Sequence, residues 1–436
     1  MENNNDTSEL VREVDFSQYP IPILDNKGFG KNIKRFMRLL TESTAEKPNR
    51  VKIAFAGQSI SNEANSWPRD LTQWLRKKYP TVEIVYQNFA IGGFATQFLY
   101  KRMPNDMASF YPDLVVLYVK GSHVPYDDMV KYIRETTISE IIIQTEHYVG
   151  EYDHSDEMSY QRLPVIAEKY NCELCQIRTP WREYVEKNDL NPKVLLIDDG
   201  HLNDYGQKFM LELMKQFFVY NRADNEEDCE KIIPVSKNDW VDKKLSLTFK
   251  GNRIEVIANE GLMPLVNVKI DGKKPSETLE AYIRDRAFSY DGISTRPGII
   301  KYKKIPGEQT FTITMKSYED EDNYSFVAES AAEFEGESDG NGVMDGDYLY
   351  MNTDSLIFHP GGDKPVPGKQ FFFQSLLNGT DTYDGTNNYV SNPEKCAMFD
   401  ANMLISGIPV SEHTLELTAV DEIPDIKAIK IYCPTY

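Results

Sequence analysis

Between Gly30 and Tyr220 the apolar positions follow two spacings in turn. Short aliphatic and β-branched runs read as strands: VKIAFAG (51–57), VEIVYQNFA (82–90), DLVVLYVKG (113–121), EIIIQTEHY (140–148), CELCQI (172–177) and KVLLIDD (193–199). Between them apolar residues recur at three- and four-residue intervals. Ile33, Phe36, Met37 and Leu40 do so before the first run, and Leu71, Trp74 and Leu75 do so behind Pro68 after it. Further helical stretches are QFLYKRMPNDMASFY, YDDMVKYIRET, MSYQRLPVIAEKY, WREYVEK and YGQKFMLELMKQFFVY. Strands alternating with helices of about a dozen residues build βαβ units, hence a three-layer α/β/α domain around a parallel sheet. Right-handed crossovers put every strand's carboxyl end along one edge, where Ser59, Gly93, Gly121, His147 and His201 fall.

After Tyr220 the helical spacing stops. Residues 222–238, charged and Pro-punctuated, read as a linker. From 239 to 436 short strand-like runs (LSLTF, NRIEVIA, LVNVKIDG, GIIKYKKI, TFTITMK, SLIF, QFFFQSL, HTLELTA, IKAIKIY) are separated by Gly, Pro, Asn and Asp turns. That pattern predicts an all-β sandwich or jelly roll. Residues 308–328 and 412–432 are faintly alike, too little for a repeat array. Residues 1–28, polar and then Pro-rich, read as an arm along the first domain, which spans 29–221.

At 436 residues the chain is long enough for two or three domains, and its net charge of -20 opposes phosphate backbones and anionic lipid surfaces. Nucleic acid and membrane are therefore not expected as partners. No basic-then-apolar leader and no stretch near ~20 apolar residues is present, so a soluble chain is expected, its compartment and oligomeric state open. Five cysteines, an odd count without framework spacing, favour reduced thiols. Cys172 and Cys175 form a C-x-x-C inside a strand rather than at a strand-to-helix turn, which favours buried thiols over a redox pair. The acidic stretch 339–347, DGNGVMDGD, lacks EF-hand spacing and reads as a turn. No metal or cofactor is expected.

Two stretches carry candidate chemistry. Gly57-Gln58-Ser59 ends the first strand, at the sheet edge where ligands of open α/β sheets collect, which makes Ser59 a nucleophile candidate; most Gly-x-Ser tripeptides, however, are only turns. Asp198-x-x-His201 comes after a later apolar run. An Asp at that spacing can hold one ring nitrogen while the other faces a nucleophile, though an exposed His in an Asp/Gly turn would look the same.

In combination these residues resemble the SGNH (GDSL-like) hydrolase superfamily, in its carbohydrate acetylesterase-like branch. Gly57-Gln58-Ser59, then Asn88 to Gly93, then Pro112 to Leu117 leading into Gly121, then Asp198-Asp199-Gly200-His201-Leu202-Asn203 with Gly206, stand in the family's order. The resemblance covers about residues 30–220 and implies a flavodoxin-like α/β/α fold. It implies Ser59 as nucleophile, His201 as general base and Asp198 as its orienting acid, with the Ser59 and Gly93 N–H groups in the oxyanion hole. Two departures stand out. Gln58 replaces the family's Asp, as in acetylesterase branches, and His123 stands where an oxyanion Asn is expected. Either His123 rebuilds that donor, or it only lies nearby and Gln58 or nothing replaces it. His147 is placed to line the pocket, and it and Gln58 are the substrate-binding candidates; His154, His359 and His413 read as surface or structural.

The expected activity is that of a serine esterase acting on a small-molecule or polysaccharide acyl ester, with O-acetyl groups of a carbohydrate as substrate. The carbohydrate part rests on the appended β-domain, an analogy of fold. The alternatives are a catalytically silent glycan-binding or structural protein on the same scaffold, which the missing Asn favours, and a small-acyl thioesterase or lipase. Nothing resembles the long apolar lid of a lipase.

Overall fold

The computed structural model describes residues 16–62, 66–150, 155–221, 229–259, 261–284, 295–331, 334–385, 390–392, 397–399 and 402–436. They fall into two compact units, one drawn from 1–92, 114–120 and 140–223, the other from 93–113, 121–139 and 224–436. His154 and Cys396 lie outside the described residues.

In the N-terminal half the elements run α1 (Lys34–Thr41), β1 (Arg50–Gly57), α2 (Ser59–Asn62), α3 (Trp67–Lys78), β2 (Glu83–Asn88), α4 (Thr96–Leu99) and α5 (Met103–Phe110). They continue with β3 (Leu114–Tyr118), α6 (His123–Thr136), β4 (Glu140–Gln144), α7 (Leu163–Lys169), β5 (Glu173–Cys175), α8 (Arg178–Lys187) and α9 (Asp204–Lys215). The five strands make one parallel sheet in the order β2-β1-β3-β4-β5. This is the doubly wound order, with its switch point between β1 and β3.

Continuous apolar runs form these strands because the sheet is buried on both faces: every residue of β3 is buried. Val51, Ile53 and Phe55 of β1 share one core with Leu71 and Leu75 of α3, Trp181 of α8 and Phe209 and Met210 of α9. Each such side chain contributes roughly 1.5–3 kcal/mol on burial. The start of α1 is held by Glu140, whose carboxylate accepts from the Arg35 and Phe36 N–H groups at 2.9 and 2.7 Å. Residues 16–24 lie along this core: Phe16 stacks on Tyr205 at 4.6 Å, and the Leu24 N–H donates to Gln216 at 2.9 Å. Cys172 and Cys175 are buried free thiols, and burial pushes the Cys175 thiol well up, with Glu173 adding to it.

The strand expected at 193–199 does not form. Asn191 and Pro192 start a 3-10 turn over Pro192–Leu195 instead, with the Asn191 side chain accepting from the Lys193 N–H. Past that turn a single bridge, Leu196 to Leu202, closes a tight loop.

In the second unit the β-rich half holds two principal antiparallel sheets. One has six strands in the order Thr382–Tyr383, Val266–Ile270, Met403–Ala419, Lys244–Ala258, Ile426–Tyr432, Glu230–Pro234. The other has five, in the order Phe334–Glu337, Tyr324–Ser330, Gln309–Tyr318, Gln370–Leu377, Tyr282–Arg284. Each has its own hydrophobic core, and these antiparallel sheets make up the all-β, sandwich-like half that the strand pattern predicts. The expected linker is in part a strand, since Glu230–Pro234 pairs with residues 428–432. LSLTF and NRIEVIA fuse into one strand through Gly251, where a Cβ would lie 2.4 Å from the Tyr432 carbonyl oxygen. The faint internal likeness is no repeat: 309–318 and 324–330 pair as a hairpin, whereas 403–419 and 426–432 flank 244–258 on opposite sides. Residues 339–343 form the acidic turn, with Asp339 accepting from the Asn341 and Val343 N–H groups.

Candidate active site

Gly57 closes β1 and Ser59 opens the single turn α2. A Cβ at Gly57 would lie 2.8 Å from both the Ser61 hydroxyl and the Tyr118 carbonyl oxygen, so the strand can pass there only as glycine. The loop after β2 is fastened to the same point. The Ile91 N–H donates to the Gly57 carbonyl at 3.1 Å, and Asn88 Nδ2 donates to the Ser61 carbonyl at 2.6 Å. Asn88 Oδ1 accepts from the Ala90 N–H, so one side chain orients both the turn that begins at Ser59 and the loop. A Cβ at Gly92 would lie 3.9 Å from Ser59 Cβ, which leaves that side of Ser59 open.

His201 Nε2 lies 2.7 Å from Ser59 Oγ, and His201 Nδ1 lies 2.7 Å from Asp198 Oδ2. A carboxylate at Nδ1 keeps the proton there and turns the Nε2 lone pair toward the hydroxyl. Asp198 Oδ1 accepts from the His201 and Gly200 N–H groups at 2.7 and 2.8 Å. The backbone N–H of His201, then that of Gly200, then the imidazole hold the Asp198 carboxyl down, to about 2. The Asp198 carboxylate is thus charged at neutral pH. His201 and Asp198 side chains are 41% and 54% exposed, so a bulky substrate can reach them.

The loop that carries them is built by its own carbonyls. The Ile197 N–H donates to the His201 carbonyl at 2.9 Å and the Asn203 N–H to that of Leu195 at 3.1 Å. Asn203 Nδ2 donates to the Val194 carbonyl at 2.8 Å while its Oδ1 caps α9 through the Gly206 N–H at 2.9 Å. Gln207, one residue further, accepts from the Trp67 N–H at 3.0 Å and donates to the Ile60 carbonyl at 3.3 Å, tying α9 to the turn that begins at Ser59. Gln207 escapes the motifs of the sequence; its one signal there is an amide on an otherwise apolar helix face beside Phe209 and Met210.

Ser59, His201 and Asp198 are therefore brought together, and Gln58 lies beside them, its Nε2 donating to the Lys120 carbonyl at 3.4 Å. His147 is not at a surface: it is 1% exposed, with its Nδ1 2.5 Å from the Tyr118 hydroxyl and its ring 5.3 Å from that of Trp181. The expected pocket-lining position is an interior one, because the chain past β4 turns inward under Arg178, whose Nη1 donates to the His147 carbonyl. In the second unit His123 is the exposed first residue of α6. Gly93 there has φ +76°, and a Cβ on it would lie 3.1 Å from Nε2 of His359, so conformation and space both require glycine. His413 is structural, its Nδ1 2.7 Å from Asp271 and its Nε2 2.9 Å from Ser411. Among the described residues no group of three or more His, Cys, Asp or Glu is placed to hold a metal ion, and no helix is long and apolar enough to cross a membrane.

The fold is similar to that of the acetylxylan esterase Axe2 from Geobacillus stearothermophilus (18% identity, TM-score 0.35, covering 39% of this chain and 95% of that one). It is also similar to an acetyl xylan esterase, AlAXEase (24% identity, TM-score 0.33, 38% and 98% covered). A two-domain esterase, CEX, active on acetylated mannans, matches over both halves (14% identity, TM-score 0.40, 92% and 95% covered). At these identities and scores the likeness carries nothing about residues or reaction. No family model matches the chain, and no curated protein sequence matches it.

Proposed function

We propose that the chain is a serine esterase that removes O-acetyl groups from a carbohydrate by acyl transfer through Ser59. The observation that carries the proposal is the unbroken chain of two 2.7 Å contacts from Ser59 Oγ through His201 to Asp198. Ser59 Oγ attacks the ester carbonyl as its proton passes to His201 Nε2, and Asp198 stabilises the imidazolium without taking its proton. The Ser59 N–H faces the oxyanion so formed, and the resemblance adds the Gly93 N–H as a second donor. Collapse of the tetrahedral intermediate expels the sugar alkoxide, which takes the proton from His201. Water, deprotonated by His201, then attacks the acyl-enzyme and acetate leaves. The carbohydrate alcohol is supported by the family resemblance, by the exposure of His201 and Asp198 and by the β-rich half as an analogy of fold.

Turnover of p-nitrophenyl acetate and release of acetate from acetylated xylan test this. Ser59→Ala is expected to lower both by about 10⁴-fold or more. Wild-type protein that turns over neither substrate faster than Ser59→Ala would remove the enzyme reading.

A further inference from the structure

The second unit contains a cavity of about 340 Å³, within the range of small-molecule sites and large enough for a sugar ring. Asn105 of α5, Tyr132 and Glu135 of α6, and Glu280, Arg284 and Tyr302 of the β-rich part all line it. Two of these polar groups are unmatched. Asn105 is 7% exposed and its Oδ1 has no hydrogen-bond partner among the described residues; the buried hydroxyl of Tyr302 has none either. Burial raises the Tyr302 phenol far above its ordinary range, more than nearby Arg284 lowers it, so it stays a neutral donor. Buried polar groups in folded proteins are almost always matched, so a buried acceptor and a buried donor on two residues that line one cavity point to an occupant carrying both.

The rest of the lining narrows its chemistry. Tyr132 and Tyr302, both half-buried, give the lining two aromatic rings, the side chains on which the C–H face of a ring packs. Glu135 and Glu280 are exposed carboxylates, acceptors that repel an anion, and Arg284 Nη1 is already committed to the Pro297 carbonyl at 2.7 Å. An occupant with ring faces, several hydroxyls and no negative charge is a sugar. We propose that this cavity is a saccharide-binding site built wholly of second-unit residues, which would hold a polysaccharide independently of ester hydrolysis.

Titration calorimetry of the full chain with unacetylated xylohexaose and mannohexaose tests this, because neither probe can be deacetylated. Saturable binding of at least one is expected, equal in wild type and Ser59→Ala. Tyr302→Phe removes only the hydroxyl and is expected to weaken binding at least fivefold, with melting temperature and p-nitrophenyl acetate turnover unchanged. Tyr132→Ala should do the same where it folds. Failure of both probes to bind wild type, or a change under fivefold in Tyr302→Phe, overturns the site whatever the esterase assay shows. Loss of ester turnover in wild type with binding intact would sink the esterase proposal alone.

Discussion

Gly206 packs so closely on Leu195 that a Cβ on it would lie 2.2 Å from the Leu195 carbonyl oxygen. That carbonyl also accepts the Asn203 N–H, so the first turn of α9 and the loop holding Asp198 and His201 are one unit. The position of His201 is thus set by helix packing as much as by its own loop.

Gly206→Ala should therefore push the helix off the loop. Overpacking of this kind typically costs about 1–3 kcal/mol. Turnover should fall further than stability implies, by roughly tenfold or more, since a displacement near 1 Å in a catalytic group costs up to about 10²-fold. Thermal melts and p-nitrophenyl acetate turnover on the same sample check this. A variant that matches wild type in both would show that the loop holds its shape without α9.

Asp198→Asn should keep the loop but present an amide to His201 Nδ1, favouring the wrong tautomer, and lower kcat by about 10²–10⁴-fold. The pH dependence separates this from simple misfolding. The Asp198 carboxyl falls from 3.8 to about 2 in the folded chain, so its contribution to stability is complete above about 3.8 and is lost as pH falls toward 2. Wild type should lose more melting temperature than Asp198→Asn between pH 4 and pH 2. Parallel curves for the two proteins would refute the assigned contacts.

The alternation of buried strands and amphipathic helices made the parallel sheet legible, because two-sided burial writes an unbroken apolar run into each strand. The same logic misread Lys193 to Asp199, where Leu195 and Leu196 are buried but Val194 and Ile197 face solvent in a 3-10 turn and bridge; the Asn203 amide takes the Val194 carbonyl that a strand would have paired. That Ser59, His201 and Asp198 would lie within hydrogen-bond reach of one another was legible, because a serine, histidine and aspartate at the ends of apolar runs are constrained in type and order. Asn88 as anchor of the turn at Ser59, Gln207 and the two separate hydrophobic cores of the β-rich half were not, since each depends on contacts between residues far apart in the chain.

His123 stands where the resemblance expects an amide donor, yet its ring is exposed at the start of α6. A hydrogen bond formed in solvent is screened, whereas a preorganised donor in a dry oxyanion hole contributes about 10²–10³-fold. His123→Ala is accordingly expected to lower kcat on p-nitrophenyl acetate by less than tenfold, with no change in melting. A loss of 10²-fold or more, restored by His123→Asn, would instead assign His123 to the oxyanion hole.

His147 is the opposite case, a histidine at a strand end whose ring is inside. Its Nδ1 meets the Tyr118 hydroxyl at 2.5 Å, its ring lies against Trp181, and its carbonyl holds Arg178. Arg178 in turn pairs with Asp156 at 2.7 Å, so the ring is one wall of a buried network behind β4. Removing it leaves a cavity where the ring packed and takes away its contacts with Tyr118 and Trp181, which is expected to cost about 3 kcal/mol. His147→Ala should therefore melt at a distinctly lower temperature, while kcat/KM per folded molecule, measured well below that melt, stays within about threefold of wild type. A variant with unchanged melting and a selectively raised KM would put His147 back at the substrate.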